Sequence, residues 1–325
     1  MSPAKDGAKG GLLLDFKADF DRRSDAMEQA FPDREVVAWW ACDRPAESLH
    51  GLRYAVAWKP EPGLLARLPD LEVIFSLGAG VDHLLCDPHL PAVPIVRFVD
   101  PDLTARMSEW VALQCLLHLR RVPEHMRAQQ ERRWADLPAP AAHEVTVGIM
   151  GLGELGQASA RALRALGFPL RGWSRTAREV EGVETFAGAD GLGAFLAGTD
   201  ILVALLPLTD ETRGLLDARL VDGLRPDGAL GGPVVVNAGR GGSQNEADIA
   251  RALADGRLRG VSLDVFEQEP LPADSPLWGF ENAVLTPHDA AVSDERALAR
   301  YVRRQVDRYE RGEPLENVVN RERGY

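Results

Sequence analysis

The fold of this chain is constrained most by one stretch, Val145 to Gly156, in which an apolar run ends at the first of three spaced glycines. The run suits a buried parallel strand, and an amphipathic helix pattern follows it. In such a turn the first glycine allows a tight bend, the second lets backbone approach a pyrophosphate, and the third lets helix and strand pack closely. Bare glycine patterns are common, but these flanks are specific. They predict a dinucleotide site at Gly151, Gly153, Glu154, Leu155 and Gly156.

The next predicted strand, Pro169–Trp173, bears on the choice of dinucleotide. Sites for NAD(H) usually carry an acidic residue about 20 residues after the turn, where it holds the ribose 2′-hydroxyl. Here the strand is followed by Ser174, Arg175 and Thr176, with no carboxylate. A hydroxyl and a guanidinium can bind a 2′-phosphate, which an aspartate would repel. The sequence therefore favours NADP(H), with NAD(H) bound at lower affinity, and the alternative is that Arg175 is only a solvated loop residue.

Length and charge narrow the class of protein. With 325 residues, 45% of them hydrophobic, the chain can bury two ordinary cores, so two domains are expected. A net charge of −12 argues against nucleic-acid and anionic-membrane partners. The apolar run Leu12–Leu14 is too short for a signal sequence or a membrane span. Cys42, Cys86 and Cys115 lack metal-ligand spacing, so we predict no metal site and a cytoplasmic location.

Strand and helix patterns alternate along the chain. The first part is predicted to contain strands at Gly11–Phe16, Val36–Trp40, Tyr54–Trp58, Val73–Phe75 and Ile95–Phe98. From Leu103 to about Trp134 the pattern is helical, with a kink or break expected at Pro123. After the glycine turn, further strands are predicted at Ile201–Leu206, Val234–Asn237, Gly260–Asp264 and Ala283–Thr286.

This alternation predicts an α/β fold of two Rossmann-like domains with doubly wound parallel sheets and the active site in the interdomain cleft. Residues 1–112 and 293–325 are predicted to form a discontinuous substrate-binding domain, and residues 113–292 the dinucleotide-binding domain. Ser243 and Glu246 indicate a capping box for a helix over Ala247–Ala254. The segment Glu295–Glu310 is predicted as a last amphipathic helix.

Three ionisable residues follow successive predicted strands of the second half. Arg240, Glu269 and His288 should therefore gather at one edge of the sheet, because the carboxyl ends of parallel strands meet there. A histidine can carry the proton that accompanies a hydride, and a carboxylate can fix its tautomer. An arginine can bind a substrate carboxylate and polarise its carbonyl. Taken singly, each has a bland alternative as a loop histidine, a surface acid or a phosphate-binding arginine.

The chain resembles the D-isomer-specific 2-hydroxyacid dehydrogenases over nearly its whole length. Within that family it is most similar to the reductases of glyoxylate and hydroxypyruvate. Besides the segments around Arg240, Glu269 and His288, the resemblance rests on Ser76–Asp82, Gly151–Gly156, Trp173–Thr176, Leu205–Thr209, Glu211–Arg213, Ser275–Trp278 and Arg323–Tyr325. It implies an NADPH-dependent enzyme that reduces small 2-oxo acids, glyoxylate to glycolate and hydroxypyruvate to D-glycerate.

The resemblance also implies residue roles. His288 would be the proton donor, Glu269 its partner and Arg240 the substrate-orienting cation, while Asp264 would hold the nicotinamide. Other cofactor contacts are implied at Leu206, Pro207, Thr212 and Ala238. The substrate site is implied at Trp58, Leu77, Gly78, Ala79 and Gly80, whose backbone amides would cradle a carboxylate. From the sequence alone, Trp58 is equally well explained as a core aromatic residue.

Two residues or segments depart from the family pattern. Asp289 follows the histidine where a neutral or apolar residue is common, and Gly242–Gln244 replaces a more apolar stretch, which leaves the pocket lining there open. A phosphoglycerate- or formate-type dehydrogenase and a non-catalytic NADP(H)-sensing protein are the alternative functions. A homodimer is expected, because family members pair through the cofactor domain and Leu103–Trp134 has more apolar surface than one face needs.

Overall fold

The computed structural model describes residues 9–16 and 20–325, which divide into two compact units. The first unit consists of the described residues up to Leu103 together with Ser293–Tyr325, and the second is Thr104–Val292. The second unit is thus one continuous segment inserted into the first. The sequence predicted that the substrate-binding domain extends to residue 112, whereas in the structure Met107 and Trp110 belong to the core of the second unit.

The first unit is an α/β domain whose strands are mostly buried apolar runs. Its elements are β1 (Gly11–Asp15), α1 (Phe20–Ala30), β2 (Val36–Ala38), β3 (Leu52–Ala57), β4 (Val73–Ser76), α2 (Asp82–Leu85), β5 (Ile95–Val96), the start of α3 (Pro101–Leu119) and, from the C-terminal segment, α9 (Glu295–Glu310). Among the described residues the five strands form one parallel sheet in the order β2-β1-β3-β4-β5. Helix α9 packs against α1, and its Glu310 accepts hydrogen bonds from Arg34 and Tyr54.

The second unit is a doubly wound sheet. Its elements after α3 are α4 (Val122–Gln130), β6 (Val147–Met150), α5 (Glu154–Ala165), β7 (Leu170–Ser174), β8 (Glu184–Ala187), α6 (Gly188–Ala197), β9 (Ile201–Ala204), α7 (Ala218–Gly223), β10 (Val234–Asn237), α8 (Glu246–Ala254), β11 (Gly260–Leu263) and β12 (Ala283–Leu285). In the part of the chain that is described, seven parallel strands lie in the order β12-β11-β10-β9-β6-β7-β8. The parallel α/β fold predicted from the alternation is confirmed.

The strand order of this second sheet reverses between β6 and β9, which are neighbours in the sheet but not in the chain. Ligands of open α/β sheets bind outside the carboxyl ends of the strands at such a switch point. Two chain segments therefore frame the expected site, one after Met150 and one after Ala204. They touch directly, because a Cβ on Gly151 would lie 2.6 Å from the carbonyl oxygen of Leu205.

Several element boundaries differ from the sequence predictions. The long helix breaks before Val122, where Arg121 has a φ of +55°, and Pro123 lies in the first turn of α4, where proline is tolerated. The strand β8 was missed because it is a short edge strand with an exposed glutamate and little apolar pattern. Strands β3 and β11 end one residue before predicted, so Trp58 and Asp264 begin the loops that follow them.

The predicted capping box before α8 is wrong. Asn245 is the N-cap of this helix, and its side chain accepts a hydrogen bond from the backbone N–H of Asp248 at 3.0 Å. The hydroxyl of Ser243 donates instead to the carbonyl oxygen of Arg240 at 2.6 Å. Ser243 therefore stabilises the turn after β10 rather than the helix.

His118, in the last turn of α3, packs inside the second unit. Its Nε2 lies 2.9 Å from the hydroxyl oxygen of Ser262 on β11, and the ring is 5% exposed. The ion pair between Glu124 and Arg259 lies near this ring. Burial lowers the pKa of His118 from 6.5 to about 4, the nearby charges having smaller effects. The ring is therefore neutral near pH 7, and it ties α3 to the strand that leads to Asp264.

Within the described residues, every helix is too short or too polar to cross a lipid bilayer.

Candidate active site

The predicted glycine turn lies between β6 and α5, at the switch point of the sheet. Gly151 has a φ of +103°, a conformation that favours glycine. A Cβ on Gly156 would lie 1.9 Å from the carbonyl oxygen of Gly151, so a side chain is excluded there. Around Gly153, by contrast, a Cβ would meet no described atom within 4 Å. The helix therefore packs tightly on the strand at Gly156, while the backbone at Gly153 has open space beside it. The backbone amides of Glu154 and Leu155, which begin α5, can bind an anion there.

The end of β7 carries the residues predicted to choose between the two dinucleotides. Ser174 is the last residue of the strand, and its hydroxyl donates to the carbonyl oxygen of Thr176 at 2.8 Å. Arg175 follows, and its Nη1 donates to Oε2 of Glu211 at 2.9 Å. Both partners are partly exposed, with 39% and 65% of their side-chain surface accessible. A guanidinium thus lies at the predicted 2′-phosphate position with a carboxylate as its neighbour.

Glu211 was not predicted as a site residue. It lies 36 positions from Arg175 in the chain, in the loop after β9, so no local pattern joins the two residues. The segment Glu211–Arg213 is one of those that carry the family resemblance, which indicated that the loop is functional. It did not show that this glutamate contacts the arginine.

The loop after β9 is closed by internal hydrogen bonds. The hydroxyl of Thr212 donates to the carbonyl oxygen of Pro207 at 2.7 Å and accepts from the backbone N–H of Thr209 at 2.8 Å. Leu206 is buried at its base. Ala238, predicted as a cofactor contact after the next strand, is also buried, and its N–H donates to Ala204 at 3.2 Å. These residues lie in the segments that follow β9 and β10, next to the switch point of the sheet.

The strands β10, β11 and β12 are neighbours in register, so the segments that carry Arg240, Glu269 and His288 leave the same edge of the sheet. His288 and Glu269 are in direct contact: the ring Nδ1 lies 3.0 Å from both carboxylate oxygens. The backbone N–H of Phe266 donates to the same carboxylate at 3.3 Å. His288 has a φ of +57°, which is uncommon for a residue with a side chain and occurs preferentially at functional sites.

Asp264 holds the segment on which His288 lies. Its Oδ1 accepts from the hydroxyl of Thr286 at 2.6 Å and from the backbone N–H groups of Asp289 and Ala290 at 3.0 and 3.1 Å. Burial raises the pKa of this carboxyl group, and these hydrogen bonds oppose the increase. The acid predicted to hold the nicotinamide therefore fixes the Thr286 side chain before the histidine and the backbone after it.

Arg240 is half-buried in the tight turn after β10. Its Nη1 donates to the carbonyl oxygen of Gly239 at 2.7 Å, and its own carbonyl oxygen accepts from Ser243 and, at 3.3 Å, from the side-chain amide of Asn237. The backbone of this turn is fixed from both sides. Asp289, which follows the histidine, is exposed and contributes its backbone N–H to Asp264.

In the first unit, the loop Leu77–Gly80 follows β4, and Trp58 follows β3. The indole packs on the loop so closely that a Cβ on Gly78 would lie 2.9 Å from it. The indole also packs against the imidazole of His83, with the two ring centroids 4.2 Å apart. The hydroxyl of Ser76 donates to the carbonyl oxygen of Gly80 at 2.9 Å and closes the loop. Among the hydrogen bonds between described backbone groups, none is donated by the N–H of Ala79 or Gly80.

Comparison with known proteins places this geometry in a family. Residues 112–290 match the model of the D-isomer specific 2-hydroxyacid dehydrogenase NAD binding domain. Over 307 residues the chain is 39% identical to the glyoxylate/hydroxypyruvate reductase A of Escherichia fergusonii, covering 92% of this chain and 95% of that protein.

Two solved structures are similar to this chain over 98% of its length. A probable 2-hydroxyacid dehydrogenase from Rhizobium etli, in complex with NADP, HEPES and L(+)-tartaric acid, is 53% identical with a TM-score of 0.91, covering 98% of this chain and 100% of that one. An NADPH-dependent glyoxylate/hydroxypyruvate reductase from Sinorhizobium meliloti, in complex with NADP and sulfate, is 52% identical with a TM-score of 0.92 and the same coverage. The chain belongs to the D-isomer specific 2-hydroxyacid dehydrogenase family.

Proposed function

We propose that this protein is an NADPH-dependent reductase of small 2-oxo acids, converting glyoxylate to glycolate and hydroxypyruvate to D-glycerate. The observation that carries the proposal is the contact between His288 and Glu269 at the carboxyl edge of a sheet whose switch point holds an open glycine turn. The names of the Escherichia and Sinorhizobium relatives support the same reaction.

The residues present fit a dinucleotide. Open space at Gly153 and the amides at the start of α5 suit a pyrophosphate, and Arg175 beside Ser174 suits a 2′-phosphate better than a free ribose hydroxyl. Neighbouring structures bind NADP or NADPH, which supports NADPH over NADH here. When bound, the reduced nicotinamide supplies a hydride for the carbonyl carbon of the substrate.

His288 supplies the proton that accompanies this reduction. Its Nδ1–H donates to the carboxylate of Glu269, so the nitrogen that exchanges a proton with the substrate oxygen is Nε2. Glu269 fixes this tautomer and stabilises the positive charge of the protonated ring. Asp264 accepts hydrogen bonds from Thr286 and Ala290, and it thereby holds the imidazole ring in this geometry.

Arg240 and the Leu77–Gly80 loop bind the substrate in this proposal. The guanidinium polarises the substrate carbonyl, which makes its carbon a better hydride acceptor. The Ala79 and Gly80 amides suit a carboxylate, since neither donates a hydrogen bond to a described backbone carbonyl. The Trp58 ring, packed on Gly78, would line the wall of the substrate site and favour small side chains.

A homodimer is proposed as the assembled form. Leu113 on α3 and Met126 on α4 are more than half exposed, and Trp134 is fully exposed just beyond α4. A second copy of the chain would bury this apolar surface. A cytoplasmic location is proposed as well, because Cys42, Cys86 and Cys115 are free thiols. Sedimentation at micromolar concentration tests the dimer, and a monomer there would contradict it.

Steady-state rates test the reaction itself. Glyoxylate, hydroxypyruvate, pyruvate and phenylpyruvate are each assayed with NADPH and with NADH. The proposal requires the highest kcat/KM for glyoxylate or hydroxypyruvate with NADPH. Tight NADPH binding with no turnover of any 2-oxo acid would instead favour a cofactor-sensing protein.

A further inference from the structure

The polar segment Gly242–Gln244 was left open by the sequence, because an apolar stretch is usual before α8. The structure shows that Ser243 and Gln244 do not line a solvent-filled site: they are 1% and 2% exposed. Asn237, at the end of β10, is fully buried beside them. Three polar side chains in a dry interior must satisfy one another, since an unpaired buried polar atom is costly.

The side chain of Gln244 bridges two turns that follow adjacent strands. Its Oε1 accepts from Nδ2 of Asn237 at 2.8 Å, and the same Nδ2 reaches the carbonyl oxygen of Arg240 at 3.3 Å. Its Nε2 donates to the carbonyl oxygen of Val265 at 2.9 Å. One end of the amide thus holds the turn that carries Arg240, and the other end holds the turn that leads to Glu269.

Two further contacts join the same pair of turns, and the second of them also meets this amide, since Nε2 of Gln244 donates to Oε1 of Glu246 at 3.3 Å. A Cβ on Gly241 would lie 1.8 Å from the carbonyl oxygen of Phe266, so the two backbones are in direct contact. Glu246 and Glu267 exchange hydrogen bonds, each backbone N–H donating to the carboxylate of the other, at 2.8 and 2.6 Å. The Arg240 turn and the Val265–Glu269 turn are therefore packed as one body.

The second turn acts directly on the proton donor. The N–H of Phe266 donates to Glu269, and Glu269 holds the His288 ring. A shift of the Val265 carbonyl would move Phe266 with it, and hence the carboxylate that orients the imidazole. Gln244 is the one side chain among the described residues that hydrogen-bonds both to the Asn237 amide under Arg240 and to Val265.

We propose that Gln244 is a positioning residue that holds the substrate-orienting Arg240 in register with the Glu269–His288 pair, through its hydrogen bonds to Asn237 and Val265. The inference rests on the proposed function, since it assigns a role in the same site. A buried, fully hydrogen-bonded amide rigidifies its surroundings, which an apolar residue at this position would not do to the same degree.

The test is Gln244→Met, which keeps the length of the side chain and removes its hydrogen bonds. We expect kcat/KM for glyoxylate to fall about ten-fold or more, since small misplacements of reacting groups cost up to about 100-fold. The Kd for NADPH, measured by fluorescence titration, should stay within about two-fold, because the glycine turn is unchanged. Hydrogen–deuterium exchange should rise in residues 238–243 and 265–269 together.

Gln305→Met is the matched control. Gln305 is a fully buried amide in the first unit, which also donates one hydrogen bond and accepts another, both with Glu316. Its variant should lose similar stability while keeping kcat/KM and exchange at both turns. If Gln244→Met fails to fold, Gln244→Asn keeps a polar amide that is too short to reach both Asn237 and Val265, and it should give the same pattern in milder form.

The outcomes separate this inference from the proposed function. A Gln244→Met enzyme with wild-type kcat/KM, or exchange that rises in only one of the two turns, overturns the positioning role. A wild type that turns over no 2-oxo acid overturns the proposed function, and the exchange experiment then still decides whether the two turns move together.

Discussion

The buried histidine on α3 predicts a specific loss of stability in acid. The pKa of His118 is about 4 in the folded protein against 6.5 for an ordinary histidine, so between these values the unfolded chain binds more protons. Stability is therefore full above pH 6.5 and falls as the pH drops towards 4. A gap of about 2.5 between the pKa values corresponds to about 3 kcal/mol in full, and to about 2 kcal/mol by pH 5.

The variant His118→Gln isolates this effect. Glutamine can still hydrogen-bond Ser262 but does not titrate, so its free energy of unfolding should fall by about 2 kcal/mol less than that of the wild type between pH 7.5 and pH 5. Urea unfolding followed by circular dichroism at both pH values measures the difference. His125→Gln, which removes an exposed histidine of α4, is the control and should follow the wild type. A His118→Gln protein with wild-type pH dependence would refute the reasoning.

Three further predictions concern the site. Arg175→Ala should raise the Kd for NADPH by about ten-fold or more and leave that for NADH nearly unchanged, since a charge-assisted contact is worth about 1.5–3 kcal/mol; equal losses by fluorescence titration would mean that Arg175 does not bind the 2′-phosphate. Glu211→Gln should tighten NADPH binding about two- to five-fold at low salt, because the carboxylate competes with the 2′-phosphate for Arg175 and exposed ion pairs are worth up to about 1 kcal/mol. The control is Glu184→Gln, which breaks the ion pair with Arg171. Weaker NADPH binding by Glu211→Gln would contradict this competition. His288→Ala should lower kcat with glyoxylate by about 100-fold or more with the Kd for NADPH retained, and near-normal turnover would point to another proton donor such as Asp289.

The parts of the fold that the sequence predicted are those specified by local pattern. Apolar runs gave the strands, and the helix over Glu295–Glu310 is found with the predicted bounds, because its apolar spacing and its Asp294 cap agree. The glycine turn was predictable for the same reason: strand, turn and helix are contiguous. The approach of Glu269 to His288 followed from one topological rule, that parallel strands end at one edge.

The rest depended on contacts between distant parts of the chain. Ser243 fits the sequence pattern of a helix N-cap, but Asn245, two residues later, occupies that position. Glu211 is ordinary in sequence and becomes a site residue only through Arg175. Gln244 was recognised as a departure, but its partners Asn237 and Val265 lie at the ends of two different strands, at Asn237 and just after Leu263. A single sequence does not encode such pairings in any local pattern.

The insertion of the second unit into the first has a consequence for synthesis. Thr104–Val292 is continuous, so every strand of its sheet has been synthesised before residue 293 is added. The first unit cannot be completed so early, because α1 packs against α9, and Arg34 and Tyr54 can reach their partner Glu310 only after residue 310 has been made. Since domains generally fold as units, the second unit has its whole chain available for folding while the first unit still lacks α9. Until α9 has been made, the apolar surface that this helix covers in the first unit stays exposed, and such transiently exposed surface is prone to aggregation.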